Sequence, residues 1–387
     1  MLFYGSRISD RKSFASNIFL AQVELIPFIH RFPSVVRFRY QIPTMRLLPL
    51  VLAATMTTTP VLLLGQTFQD GIDAYDLKNY KTAAEIFLPL AEEGKAQAQY
   101  NLGWMYESGK GVPQDYAEAV RWYRLASGQG IVSAQLNLGL MYYNGKGVPQ
   151  NYAEAARWLK VAAEQGDAEA QHNLGVMYGK GEGVPQDDGE AVKWLRLAAE
   201  QGYASAQIKL AGIYYGGEVV HQDFAEVVKW LKLAAEQGHA RAQYSLGRMY
   251  NIGEGVPQDD AEAVKWYRFA AVQGYARAQN NLGTMYGKGE GVPQDYAEAV
   301  KWLRLAAEHG NATAQYNLGV MYRNGDGVAQ NFTNAYILFN LAAAQGNVDA
   351  RGNRDMAAKK LTYDQINEAQ RLSSEWEVGD PLPLQGS

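Results

Sequence analysis

The sequence contains no cysteine among its 387 residues and only five histidines. The absence of cysteine excludes disulfide bonds, thiolate zinc sites and a cysteine nucleophile. Basic residues are also too few to favour a nucleic-acid partner, because 36 Lys and Arg stand against 40 Asp and Glu and phosphate binding needs a basic surplus. Aromatic residues are abundant instead, with 25 tyrosines and 8 tryptophans. This excess follows from the repetition of one short unit.

The first 65 residues differ from the rest of the chain. From Met45, one Arg, an apolar run and a small residue precede a polar stretch, which is the layout of a secretory signal peptide cleaved after Gly65. The alternative for residues 45–65 is an uncleaved membrane anchor, although polar residues at 57–60 interrupt the apolar run. Residues 1–44 show no sustained period, and we expect translation to start at Met45. The sequence therefore predicts a periplasmic or secreted protein, with inner-membrane anchoring as the alternative.

A unit of 36 residues repeats along the chain without a slip, which is typical of solenoid proteins. Seven full units span 98–349, a degenerate unit at 66–97 precedes them, and the pattern predicts capping helices at 350–376 and a flexible tail at 377–387. One glutamine position and one tryptophan position mark the units. The glutamines are Gln99, Gln135, Gln171, Gln207, Gln243, Gln279 and Gln315, and the tryptophans are Trp122, Trp158, Trp194, Trp230, Trp266 and Trp302.

Each unit has the pattern of a helix, a loop and a second helix. In the first half of one unit, Ala98, Leu102 and Met105 fall on one side of a helical wheel. In the second half, Asp115 can cap a new helix while Glu118 reaches back to the backbone. A glycine such as Gly130 then ends the second helix. The sequence thus predicts an all-α protein built from helix-turn-helix repeats.

The stretch GKGEGVPQD occurs at 179–187 and again at 287–295, and its glycines and lysine suggest a phosphate-binding loop. Such a loop follows a strand and carries a Ser or Thr after its lysine. Here the loop follows a helix, recurs in most units, and has Gly after both Lys180 and Lys288. The stretch is therefore interpreted as a connector, in which glycines allow backbone angles that other residues avoid.

The repeated pattern A-x-A-Q-x-x-L-G-x-M-Y-x-x-G-x-G-V-P-Q-D-x-x-x-A-x-x-W-x-x-x-A-A-x-Q-G resembles the Sel-one-like repeat family, a branch of the tetratricopeptide superfamily. The resemblance covers residues 68–376 and departs from the pattern in the loop at 216–221. It implies a right-handed superhelical solenoid that serves as a scaffold for other proteins, often in bacterial envelopes. Some relatives that carry cysteines are reported as β-lactamases, and this chain has none of those cysteines.

The first helix of each unit carries a variable face opposite the positions that are identical in all copies. In tetratricopeptide-like stacks the first helix lines the concave surface, and aromatic and arginine side chains are the usual anchors of interfaces. We therefore predict a groove that binds a protein or peptide partner. Its predicted residues are Tyr100, Trp104, Leu140, Tyr143, His172, Tyr215, Tyr244, Arg248, Arg277, Asn280, Tyr316 and Arg323. The alternative is that some of these aromatics only pack against the neighbouring unit.

No set of residues with catalytic or metal-binding spacing stands out. The histidines lack the spacing of a zinc site, and the one Ser-x-x-Lys motif, Ser9–Lys12, lies in the leader. The sequence predicts a scaffold or adaptor without catalytic activity, cofactor or metal. An envelope hydrolase acting on β-lactams or cell-wall muropeptides is the alternative function. A membrane would be a partner only if residues 45–65 stay attached.

Overall fold

The computed structural model describes residues 67–385. Within that range the regular secondary structure consists of α-helices. The predicted leader at 45–65 and the segment at 1–44 lie outside the described residues. The predicted 36-residue units appear as antiparallel helix pairs that stack in chain order, each pair packing on the next. The all-α solenoid that the sequence predicts is thereby confirmed.

The first helices of the units lie at α1 Phe68–Asp76, α3 Ala96–Ser108, α5 Val132–Asn144, α7 Ala168–Lys180, α9 Ala204–Gly216, α11 Ala240–Ile252, α13 Ala276–Lys288, α15 Ala312–Asn324 and α17 Val348–Ala358. The second helices lie at α2 Tyr80–Glu92, α4 Tyr116–Gly128, α6 Tyr152–Glu164, α8 Asp188–Glu200, α10 Phe224–Glu236, α12 Asp260–Val272, α14 Tyr296–Glu308, α16 Phe332–Ala344 and α18 Tyr363–Glu375.

At the start of α4, one of the two predicted capping interactions is confirmed and the other is wrong. The Asp115 carboxylate accepts hydrogen bonds from the backbone N–H groups of Ala117 and Glu118, so it caps α4 as predicted. The predicted return bond from Glu118 to the backbone is not made. Its carboxylate instead binds the Arg121 guanidinium one turn later, at 2.8 Å. The charged partner at i+3 competes successfully for the carboxylate, because a charge-assisted bond is stronger than a bond to a neutral amide.

The connector loops depend on glycines with positive φ, as the sequence predicts. The first helix α3 ends at Gly109 with φ +69°, and Gly111 follows with φ +76°. An added Cβ on Gly111 would lie 2.1 Å from the carbonyl oxygen of Tyr80 in the preceding unit. The loop therefore packs directly on the start of the second helix of the unit before it, which explains why glycine recurs there.

Small and large side chains alternate in the core between the helices. Ala98, Ala119 and Ala126 are fully buried, and Trp122 is 3% exposed. The alanines let helix backbones approach closely, while the rings fill the remaining space. The recurrent alanines and most of the recurrent tryptophans are thus core residues, while Trp158 and Trp302 are part-buried.

The recurrent glutamines join consecutive units through a buried hydrogen-bond ladder. The Gln171 side-chain amide donates to the carbonyl of Ala163 at the end of α6, at 3.0 Å, and its Oε1 accepts from Gln201 at 2.7 Å. The same pair of bonds recurs along the array, for example at Gln207 with Gln237. The bonds from Gln171 and Gln207 to the helix-end carbonyls are buried, so each satisfies a glutamine amide that is shielded from water.

We expect Gln171→Ala to lower the free energy of unfolding by about 1 kcal/mol, because the buried side-chain bond to the Ala163 carbonyl is lost. The loss is limited because that carbonyl keeps the N–H of Gly166. The Gln201 amide likewise keeps the carbonyl of Leu197. Urea denaturation followed by circular dichroism measures the change. Gln69→Ala is the matched control, since Gln69 is exposed on α1. Equal unfolding midpoints for the two variants would contradict the ladder's role in stability.

The C-terminal end of the array closes differently from the interior units. Helix α18 lies against α16, where Asn340 donates to the Ser373 hydroxyl at 2.7 Å and Gln370 donates to the Tyr336 hydroxyl at 3.0 Å. Thr362 and Gln365 form a reciprocal capping box at the start of α18.

The tail at 377–387 is a correction to the sequence interpretation, which expected a flexible end. Its described part packs on the array, with Leu382 only 7% exposed. The backbone N–H of Gln385 donates to the Asn334 side chain of α16 at 2.7 Å. Leucine side chains between the prolines give the tail an apolar surface to bury, which a polar tail would lack.

Among the described residues, no helix is long and apolar enough to span a membrane.

Candidate partner-binding groove

The first helices of consecutive units touch each other along one side of the solenoid. Helices α13 and α15 are in direct contact, and the Asn317 amide of α15 donates to Asn280 Oδ1 of α13 at 3.1 Å. Residues at the same position of neighbouring units therefore lie side by side. The predicted groove residues lie on these first helices, and we call the surface that they form the inner groove.

At the N-terminal end of the inner groove, aromatic rings form a cluster around a lysine. Trp104 packs edge-on against Tyr75 of the degenerate unit, with ring centroids 5.4 Å apart. The Lys110 ammonium lies 4.7 Å from the Trp104 ring centroid and donates to the Tyr75 hydroxyl at 3.2 Å. Tyr100 contacts Tyr123 of α4 at a centroid distance of 5.9 Å. The rings are held in place while Tyr100 and Trp104 keep part of their surface exposed.

On α5, in the next unit, the predicted groove residues are more buried. Tyr143 is 9% exposed, because it packs on Tyr152 and donates its hydroxyl proton to the Glu182 carboxylate at 2.6 Å. Burial and the Glu182 charge raise the pKa of Tyr143 above its ordinary value. Leu140 remains half-buried one turn earlier on α5. Tyr143 therefore helps to lock the loop after α7 to α5, and it offers little surface to a partner.

His172 lies in the same strip on α7 with its ring against Tyr203, at a centroid distance of 5.2 Å. Its Nδ1 atom is buried without a hydrogen-bond partner. Burial, assisted by the nearby charge of Lys209, lowers the pKa of His172 to about 4. The imidazole is therefore neutral at physiological pH and contributes an apolar surface to the groove.

A tyrosine–arginine pair lies at the centre of the inner groove, with the tyrosine exposed and the arginine part-buried. Tyr215 is 37% exposed and packs edge-on against Phe224. The Arg248 guanidinium lies 5.3 Å from the Tyr215 ring centroid and donates to its hydroxyl at 2.9 Å. A preorganised arginine stacked on an aromatic ring, open to solvent, is the type of group that concentrates binding energy in interfaces.

The variant loop of the fourth unit follows Tyr215 directly. Val219 replaces the glycine that approaches the preceding unit in the standard loops, and Val219 keeps a negative φ and is 40% exposed. A Cβ at that position cannot fit the close approach seen at Gly183, where it would lie 2.1 Å from the Tyr152 carbonyl oxygen. The loop therefore adopts another path beside Tyr215, and this departure sets the centre of the groove apart from the other units.

Tyr244 continues the strip on α11. Its ring contacts Tyr267 at 5.8 Å and Tyr275 at 5.2 Å between centroids. Burial raises the pKa of Tyr267 to about 12, so its hydroxyl keeps its proton. Tyr244 is part-buried and rigidly supported.

At the C-terminal end the strip becomes polar. Asn280 is buried and bonded to its neighbours on α13 and α15, whereas Arg277 is exposed. Tyr316 packs on Phe339 of α16 and accepts a hydrogen bond from Asn353 of α17. Arg323 also donates to Asn353.

Most of the predicted groove residues thus both line the strip and contact the neighbouring unit, so the two interpretations in the sequence analysis are not exclusive. The sequence alone did not identify the contacting residues, which include Glu182 and Asn353. The 36-residue period could have indicated them, because each contacting residue follows its groove partner by about one repeat. Glu182 lies 39 residues after Tyr143, and Asn353 lies 37 residues after Tyr316.

The described residues contain no cluster of His, Asp and Glu that could hold a metal ion. Carboxylates on the second helices pair with lysines or arginines one turn away, as Glu190 does with Lys193 at 2.8 Å. These pairs are exposed and solvent-screened. The chemistry that the described surface offers is recognition through rings, amides and guanidinium groups.

Fold and groove together define an α-solenoid with an aromatic inner strip. A model of the Sel1 repeat matches seven consecutive segments, at 96–131, 132–167, 168–203, 204–239, 240–275, 276–311 and 312–347. The chain belongs to the Sel1 repeat family, whose members generally serve as protein-interaction scaffolds.

Two solved structures of this type are similar to the chain. A Sel1 repeat protein from Oxalobacter formigenes is 37% identical, with a TM-score of 0.58 over 73% of this chain and 85% of that protein. The protein c5321, a protective antigen present in uropathogenic Escherichia coli strains and displaying an SLR fold, is 30% identical, with a TM-score of 0.50 over 79% of this chain and 84% of that protein. A search of curated proteins found no match.

Proposed function

We propose that this protein is an exported bacterial adaptor that holds a protein or peptide partner in its inner groove. The observation that carries the proposal is the Tyr215–Arg248 pair at the centre of the inner groove, with its tyrosine exposed. The pair is preorganised by its own contacts, so a partner would not have to order these side chains on binding. The groove also combines rigid rings with polar groups at its C-terminal end, which suits an extended segment with both side-chain and backbone contacts.

Export is supported by the signal-peptide layout at 45–65 and by analogy to the protective antigen of uropathogenic E. coli. Family membership supports a scaffold role. No contact among the described residues favours the hydrolase alternative.

The test is affinity capture from a bacterial envelope extract with the chain as bait, beside the double variant Tyr215→Ala and Arg248→Ala. We expect the partner that the unmodified chain retains to bind the variant on the order of a hundredfold more weakly, as is typical of a central hot spot. Titration of that partner by calorimetry measures the loss.

The matched control replaces Val348 and Lys359, an apolar and a cationic residue that are exposed near α17, by alanine. Unchanged circular dichroism and melting of both variants would show that the fold is intact. Equal partner affinity of both variants would refute binding at the centre of the inner groove.

A further inference from the structure

An apolar column runs along the outer faces of the second helices, away from the inner groove. One position per unit is always apolar, and we call these residues the outer column. They are Leu125, Val161, Leu197, Leu233, Phe269, Leu305 and Leu341. Leu197 is 39% exposed and Phe269 is 45% exposed, whereas Leu341 in the last unit is 7% exposed. The column is therefore open in the middle of the array and covered at its C-terminal end.

The chain's own tail takes part in that cover. The backbone N–H of Gly379 donates to the carbonyl of Glu308 at the end of α14, at 2.9 Å. Six residues later, Gln385 exchanges two hydrogen bonds with the side chain of Asn334 at the start of α16, at 2.7 and 3.0 Å. Six residues can span at most about 20 Å, which is also the length of a 13-residue helix at 1.5 Å per residue. The tail thus runs from the C-terminal end of α14 to the N-terminal end of α16.

The α14 surface that the tail meets has open counterparts elsewhere in the array. On α8 a depression of about 340 Å³ is lined by Val192, Arg196, Leu197 and Glu200. Three units later along the chain, Leu305 and Glu308 occupy the positions of Leu197 and Glu200. The backbone carbonyl of Glu308 accepts the hydrogen bond from the tail.

A second depression, of about 250 Å³, lies at the same place on α12. It is lined by Val264, Arg268 and Phe269, together with Gly291 and Val292 of the following loop. The two depressions thus lie at the same repeat position, on helices whose counterpart α14 is bonded to the tail through the Glu308 carbonyl.

The chemistry of the tail explains why it fits an apolar channel. Pro381 and Pro383 have no backbone N–H, and the N–H of Leu384 bonds back to the carbonyl of Leu382 at 2.8 Å. An extended segment with free donors would leave them unsatisfied against aliphatic side chains. A segment in which leucine and proline alternate presents apolar surface with few donors.

We propose that the depressions on α8 and α12 bind an extended partner segment in which proline and leucine alternate, in the way that the tail binds α14 and α16. This outer surface is independent of the inner groove and of its proposed function. At the position of Asn334, the helices that follow these depressions carry Glu226 and Glu298. These carboxylates already bind Lys229 and Lys301, respectively, and a carboxylate cannot donate the second bond that the Asn334 amide supplies. The open sites therefore depend more heavily on apolar contact.

The probe is a fluorescein-labelled peptide with the sequence of residues 377–385, titrated into the full chain by fluorescence polarisation. We expect saturable binding that the double variant Leu197→Asp and Phe269→Asp weakens about tenfold, because a charge replaces the apolar wall at both sites. A second peptide with serine at both leucine positions should bind equally weakly.

The matched control is Val348→Asp, which places the same charge on an exposed apolar residue away from the outer column. It should bind the peptide like the unmodified chain, and thermal melting should show all variants folded. Equal binding by the double variant and the control would overturn the proposal. Binding that appears only after residues 377–387 are deleted would also overturn it, since the site would then be confined to α14 and α16.

Discussion

Gly183→Ala is expected to lower the free energy of unfolding by about 3–5 kcal/mol, the sum of a left-handed backbone strain and a steric clash. Gly183 has φ +72°, and an added Cβ would lie 2.1 Å from the carbonyl oxygen of Tyr152 and 2.2 Å from its carbonyl carbon. Both atoms belong to the backbone at the start of α6, so neither can rotate away. The loop has to move off the preceding unit, and the contact between units three and two is lost.

The matched control for this prediction is Gly202→Ala. Gly202 also has a positive φ, at +87°, but an added Cβ would meet no atom within 4 Å. It should therefore show only the backbone strain, about 1 kcal/mol. Urea denaturation monitored by circular dichroism compares the two variants. A similar loss in both would mean that strain alone explains the glycine at 183, and that the close approach between units carries no energetic weight.

Acidification from pH 6.5 to pH 4 is expected to destabilise the array by on the order of 3 kcal/mol through His172 alone. The pKa of His172 falls from 6.5 to about 4 in the folded protein, first because of burial and then because of the Lys209 charge. Between these two pH values the unfolded chain binds a proton that the folded chain does not. The contribution of the neutral His172 imidazole to the free energy of unfolding is therefore fully present above pH 6.5, and it is lost as the pH falls towards 4.

His172→Gln should remove this part of the acid dependence, because glutamine does not titrate. The free energy of unfolding is measured at pH 7.5, 6, 5 and 4 for the unmodified chain and the variant, and the slopes are compared. His221→Gln is the control, since His221 is exposed in the loop after α9, and it should keep the original slope. Identical slopes for the unmodified chain and His172→Gln would show that the imidazole is not shielded from water.

The repeat architecture could be predicted because its causes are local. Asp115 before α4 and Gly130 after it fix the ends of that helix within a few residues, and the same signals recur at every unit. The glutamine and tryptophan positions were recognised as structural from their recurrence alone. The hydrogen-bond partner of Gln171 in the preceding unit, the Ala163 carbonyl, required the stacked structure, since it depends on how one unit faces the next.

The site was predictable as a strip and less so as a set of individual contacts. Tyr143 and Asn280 were predicted as groove residues, yet both are 9% exposed because residues of the next unit cover them. Tyr215 and Arg248 come together from helices α9 and α11. Whether a ring at a variable position is exposed or buried depends on the side chains of the neighbouring unit. A helical wheel drawn for one helix does not show those side chains.

The all-α solenoid, the length of its unit and the approximate ends of its helices follow from the sequence alone, because short-range capping and a 36-residue period specify them. Only the tertiary structure decided which strip residues stay open, where Glu118 finds its partner and where the tail lies. Those outcomes are set by contacts between units, such as that of Gly379 with Glu308 and of Gln385 with Asn334. Such contacts depend on how the helices of different units are placed relative to one another, and the stacking of the units fixes that placement.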